Sequence, residues 1–162
     1  MSAVLENKIS MLRHTVATLA YRGGKTLRGV TAEFASFRAA PGIRTPAEIL
    51  AHISDLVDWA LALAEGGFEW HDSSPLPWDE GTARFHAALA AFDRRLESSE
   101  AVKVPAESLF QGPLADALTH VGQIAMLRRM AGSPIRGENY FKADVVAGRT
   151  GPEQRPAKKE FD

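Results

Sequence analysis

The chain has 162 residues, 45% of them hydrophobic and 24% charged, with 19 Lys and Arg set against 20 Asp and Glu. At roughly 150 residues per domain, this length predicts one domain over residues 1–162, large enough to form its own core. Cysteine is absent, which removes disulfides, thiolate metal cages and cysteine nucleophiles, and a net charge of -1 offers no general field to draw in nucleic acid or an anionic membrane.

The N-terminal stretch is broken by Glu6, Lys8, Arg13 and His14, so it lacks the unbroken apolar segment of a secretory signal. No apolar run approaches the roughly 18 residues of a membrane span. A soluble cytoplasmic protein with no membrane and no nucleic-acid partner is the expectation. Val4, Leu5, Ile9, Leu12, Val16 and Leu19 recur every three or four residues and predict the buried face of a first helix, with His14 off that face. Gly23 and Gly24 are expected to interrupt the helix, and a weaker helical stretch over residues 31–37 leads to Pro41-Gly42. Gly24-Lys25-Thr26 imitates the end of a phosphate-binding loop. Leu19 stands where that motif needs its first glycine, however, and no strand precedes it, so nucleotide binding is rejected.

Thr45, Pro46 and Glu48 form a capping-box pattern that starts a second helix, expected to end near Gly66-Gly67. Its apolar stripe reads Ile49, His52, Ile53, Leu56, Trp59, Ala60 and Leu63, with Ser54, Asp55, Asp58 and Glu65 on the opposite side. Residues 68–78 carry Pro75, Pro77 and Ser73-Ser74 and read as a long connection, and His71 within it is left outside any site. A third helix buries Trp78, Phe85, Leu89, Phe92 and Leu96, ends at Ser98-Ser99 and leaves His86 on a solvated flank.

Pro113 is expected to start a fourth helix that runs to about Ala131, with Gly132 as C-cap and Pro134 beyond. Arg128-Arg129 complement the dipole of its last turn. Residues 137–146 could form a helical turn or two, and the charged, Pro- and Gly-rich tail 147–162 should be irregular, lying over the surface or frayed. No segment alternates with strand periodicity. The prediction is an all-α four-helix bundle with long inter-helix connections and a short C-terminal extension, its topology open.

Asp116 and His120 lie four residues apart, so a helix puts both on one face, about 6 Å apart at their β-carbons. By projection that face turns toward the core, where a carboxylate needs a partner. His52 has a similar inward setting on the second helix. If the two helices pack together, His52, Asp116 and His120 could converge on one divalent cation with positions left for water or substrate. The alternative is a non-catalytic bundle that binds a ligand or partner protein, with the same trio as a hydrogen-bonded core network.

The pattern Ile49-Leu50-Ala51-His52, together with Asp116-Ala-Leu-Thr-His120-Val-Gly122-Gln123, Leu127-Arg128 and Gly132, resembles the DinB/YfiT-like family of metal-binding four-helix bundles. In that family three histidines typically hold a divalent metal, one from the second helix and an HxxxH pair from the fourth. His52 and His120 match, and Asp116 stands where the family usually has histidine. The resemblance implies a divalent ion (Zn, Ni, Mn or Fe) at His52, Asp116 and His120, and the carboxylate moves the preference toward the oxygen-binding Mn and Fe(II). It also implies a homodimer and metal-dependent chemistry on a small-molecule substrate, of the hydrolase or thiol S-transferase type. The substrate could be a low-molecular-weight thiol. Two histidines and a carboxylate also make up the facial triad of non-haem iron oxygenases, which this bundle connectivity does not favour. Spacing suggests Asp55 and Gln123 as partners that orient the ligands.

Overall fold

In the computed structural model, which describes residues 3–161, helix α1 (Ala3–Leu27) runs unbroken through Gly23 and Gly24. The glycines mark a close approach of helices, where the sequence suggested an interruption. A Cβ on Gly23 would stand 2.6 Å from Phe85 Cζ, and one on Gly24 3.6 Å from His86 Cε1. The missing side chain of Gly23 lets Phe85 of the third helix lie against α1, which offsets a glycine propensity deficit of about 1 kcal/mol, whereas the Gly24 distance is an ordinary contact. Ile9, Leu12, Val16 and Leu19 are buried as expected, whereas Val4 and Leu5 are exposed. Residues 31–37 hold a short 3-10 turn, Ala32–Ser36.

Helix α2 (Pro46–Glu65) begins at the predicted capping box: the Glu48 amide donates to Thr45 Oγ1 at 3.2 Å, and the Thr45 amide donates to Glu48 Oε2 at 2.6 Å. It ends at Gly66, whose φ of +92° carries the chain out of the helix while the Gly67 amide donates back to the Ala62 carbonyl. Ser54 and Asp55, expected on the solvent side, are both buried, because α2 is walled by a helix on each flank. Helix α3 (Trp78–Glu97) buries Phe85, Leu89, Phe92 and Leu96 as predicted.

The last helix starts before Pro113. A first turn, Ala106–Leu109, passes through a π-helical stretch, Phe110–Leu114, into a regular helix, Ala115–Met130; together residues 106–130 are α4. Pro113 lies inside it. A proline there has no amide proton to give and its ring crowds the carbonyl four residues back. The wider π turn relieves that crowding, with the Ala115 amide donating five residues back to Phe110. Gly132, at φ +74°, closes the C-terminus, with the Ser133 amide donating to the Arg128 carbonyl. Arg128 does more than complement a dipole. It is buried and donates to the Thr26 and Arg28 carbonyls, joining the ends of α1 and α4.

Side-chain bridges fix the directions of the helices. Arg128 joins the C-termini of α1 and α4, Trp78 at the start of α3 donates to Leu27 at the end of α1, and Arg95 near the end of α3 donates to Ala64 near the end of α2. α1 and α4 therefore run one way, and α2 and α3 the other. Both α1 and α2 pack against α3 and α4, which sets α1 and α2 on one diagonal. The long connections span that diagonal and return the chain between the parallel α2 and α3. Phe85, Phe92, Leu19, Leu50, Ile53 and Ile124 fill the centre.

The C-terminal segment is irregular over much of its length but tied down. Within 137–146 one helical turn forms, a 3-10 turn over Tyr140–Lys142, and just before it an unforeseen two-residue strand β1 (Gly137–Glu138) pairs antiparallel with β2 (Glu160–Phe161). Lys25 Nζ contacts Glu138 and Glu160, each at 2.7 Å, and Tyr21 donates to Glu138 at 2.6 Å. The tail also corrects the placement of His86. It covers that side chain, leaving it 7% exposed with Nδ1 2.9 Å from the Thr150 carbonyl. No helix among the described residues is long and apolar enough to cross a membrane.

Two outcomes test this packing. Gly23→Ala should lower stability by about 1–2 kcal/mol in urea unfolding, because the clash with Phe85 outweighs the helix propensity gained; an unchanged or higher midpoint contradicts the close approach. Burial, with Arg28 adding to it, holds His86 below its ordinary value against the opposing hydrogen bond to Thr150. The folded state thus binds fewer protons than the unfolded chain through the histidine range. Stability should be level above about pH 6.5 and fall as pH drops toward the lowered value. His86→Asn should flatten that slope, measured as urea midpoints at several pH values.

Candidate metal centre

α2 carries His52 in its second turn, and α4 carries Asp116 and His120 one turn apart. Because α2 and α4 are neighbours, the three side chains meet. Asp116 Oδ1 lies 3.4 Å from His120 Nε2, Asp116 Oδ2 lies 3.8 Å from His52 Nε2, and one donor atom of each residue lies within 4.8 Å of the others. The imidazole rings stand edge to face, 4.7 Å apart at an angle of 89°.

These residues fit a divalent cation. Bonds of about 2.1 Å hold neighbouring donors roughly 3–3.5 Å apart, so a small closure of the trio suffices. His120 Nδ1 lies 2.8 Å from Gln123 Oε1, as the spacing suggested. That bond puts the ring proton on Nδ1 and leaves the Nε2 lone pair facing Asp116. Burial first, then the nearby His120 and Arg44, holds His52 below its ordinary value, with Asp116 and Asp55 pulling the other way. A neutral imidazole is the form that ligates.

Asp116 was expected on a core-facing surface. Ala117, Val121 and Ile124 take the core instead, and the Asp116 side chain, a step around the helix, is 48% exposed against 20% for His52 and 13% for His120. The trio therefore opens to solvent on its carboxylate side. His14 and His71 are exposed and are not part of the group.

Asp55 does not hydrogen-bond His52 as spacing suggested. Its carboxylate is 1% exposed and accepts from the Ser73 amide (2.9 Å), the Ser73 hydroxyl (2.7 Å) and Arg84 (2.6 Å). Burial alone would raise its pKa, but these donors outweigh it and hold the carboxyl below its ordinary value. Arg84 also reaches Asp58 at 2.8 Å. Asp55 thereby anchors the connection after α2, and that connection lays Trp70 against His52, with ring centres 5.6 Å apart, and against Trp59 at 5.8 Å. Sequence reading missed Trp70. Its one signal was a tryptophan placed in a proline-rich connection.

Two cavities flank the trio. His52 borders one of about 290 Å³ with Arg44, Glu48 and Asp72, and His120 and Gln123 border an apolar one of about 480 Å³.

Removing the Gln123 acceptor should loosen the His120 ring. Gln123→Leu is expected to weaken divalent-metal affinity about 10- to 100-fold in a competition titration with a chromophoric chelator, whereas Asp55→Asn should act mainly on folding stability. An equal loss of affinity in both variants would contradict these assignments. No family model, curated protein or solved structure matches the chain, so the geometry of the trio is what bears on function.

Proposed function

We propose that the protein binds one divalent metal ion (Zn, Ni, Mn or Fe) through His52, Asp116 and His120 and is a metal-dependent enzyme acting on small molecules, of the hydrolase or thiol S-transferase type. The observation that carries this is the convergence of two imidazoles and a carboxylate, from two helices, at a solvent-open edge between two cavities. The resemblance to DinB/YfiT-like bundles supports it, as it does a homodimeric assembly.

An ion held there supplies Lewis-acid chemistry, lowering the pKa of a bound water or thiol and polarising a substrate oxygen. The chain's own residues set the conditions. Gln123 fixes the His120 ring, burial keeps His52 deprotonated near neutral pH, and Asp116 brings one negative charge that offsets half of a divalent cation's. Trp70, backed by Trp59, stands edge to face against the His52 ring. Without cysteine in the chain, any thiol that reacts must arrive on a small-molecule cosubstrate.

A second reading has its own observation. Asp116 already lies within ion-pair distance of both histidines, and Gln123 satisfies His120, as a polar network with no ion would arrange them. Metal analysis of protein purified without an affinity tag separates the two. The metalloenzyme reading expects stoichiometric metal, lost in His52→Ala and His120→Ala, and metal-dependent consumption of a thiol with monochlorobimane or of p-nitrophenyl acetate. Substoichiometric metal unaffected by either substitution overturns it. A fully loaded protein inert toward thiols and esters leaves a metal-binding module without catalysis.

A further inference from the structure

One side chain borders both the cavity beside His52 and the cavity beside His120: Arg44. It sits just before Thr45, the N-cap of α2. Among the described residues no hydrogen bond or ion pair joins Arg44 to a partner. The neighbouring Arg38 differs, since its guanidinium is committed to the Ile43 carbonyl at 2.7 Å and to Glu48 at 3.0 Å. In the smaller cavity the acids Glu48 and Asp72 accompany the two arginines. In the larger one Arg44 is the lone full charge, set at the rim of a wall made by Ile43, Ile49, Met126, Leu127 and Met130, with His120 and Gln123 on the remaining edge.

A cation at the mouth of an apolar cavity of about 480 Å³ matches a ligand with one anionic end and an apolar body. We infer that this cavity binds the apolar body of a small organic carboxylate whose acid group pairs with Arg44, the residue that sets the substrate's charge at the reaction centre. The inference rests on the reading of His52, Asp116 and His120 as that centre, and it names the class of molecule brought to it. The carboxylate at Arg44 and the body against Met126 and Met130 place the ligand alongside the His120 edge. A second copy of the chain laid over the same apolar wall would strip water from Arg44, which is unfavourable unless that copy set a carboxylate against it.

The test uses octanoate, octanol and butyrate, titrated calorimetrically into zinc-loaded and metal-free full-length protein. Octanoate should bind saturably, far more tightly than butyrate, and Arg44→Gln should weaken it about tenfold or more, the loss expected for a hydrogen bond to a charged group. Octanol should bind without regard to Arg44. Met126→Glu should abolish octanoate binding by setting a like charge against the carboxylate and a polar group in the apolar wall. Arg44 and Met126 are both exposed, so neither change threatens the core.

Zinc affinity measured on the same samples separates the two readings. Zinc binding alike to wild type and Arg44→Gln, with octanoate weakened in the variant, supports both. Octanoate binding that depends on Arg44 in a protein that takes up no zinc supports the pocket and removes the metal. Equal octanoate affinity in wild type and Arg44→Gln, or no saturable binding, overturns the inference. So does a dimer that Met126→Glu dissociates while octanoate stays unbound, which would assign the apolar wall to a second copy.

Discussion

Everything at the candidate site depends on α2 being held between α3 and α4. A helix walled on two flanks has to bury groups that a surface helix would leave in water, and here those groups include Asp55. Burying a carboxylate is costly unless donors surround it. Arg84 from α3 and Ser73 from the following connection supply them, so one charge requirement fixes both the α2–α3 seam and the path of the chain leaving α2. On the other flank, α4 brings Asp116 and His120 up to His52. The site is a product of two seams that share one helix.

The polarity of the trio follows from this placement. His52 is partly desolvated on the Trp70 side, whereas Asp116 faces water, so the charge of the group is distributed with its anionic end outward. An approaching ligand meets a carboxylate, two imidazoles and a nearby guanidinium within one opening. The carboxylate comes from α4, the imidazoles from α2 and α4, and the guanidinium from the segment before α2.

Much of this was legible in the sequence, and the misses share a cause. The capping box at Thr45, the apolar stripe of α3 and the i,i+4 spacing of Asp116 and His120 are local patterns, set by helical geometry alone, and the structure contains all of them. Gly23, Pro113 and His86 were misread because their settings are tertiary. Gly23 answers to Phe85 sixty-two residues away. His86 answers to Thr150. Pro113, which by itself predicts a helix start, is accommodated by a backbone widening that no residue pattern announces. The inward set of Asp116 was right in register relative to His120 and wrong in depth, because projection gives direction around a helix and not distance from the bundle axis. Asp55 was placed on a solvent face for the same reason: a single stripe describes a helix with one buried side, and α2 has two.

The π turn in α4 has a consequence for how the site is inherited. It inserts one residue into a helix whose two ends are both pinned, by the buried Ala106 and Leu109 at one end and by Arg128 at the other. An insertion of that kind acts as a rotational offset between the first turn and the rest, on the order of 100°. Removing a single residue from the stretch Phe110–Leu114 would leave composition and helix length almost untouched, yet would force either the Leu109 end or the Asp116 end to turn away from its neighbours. The geometry that presents Asp116 and His120 to His52 is thus encoded partly in a count of residues, independent of which residues they are.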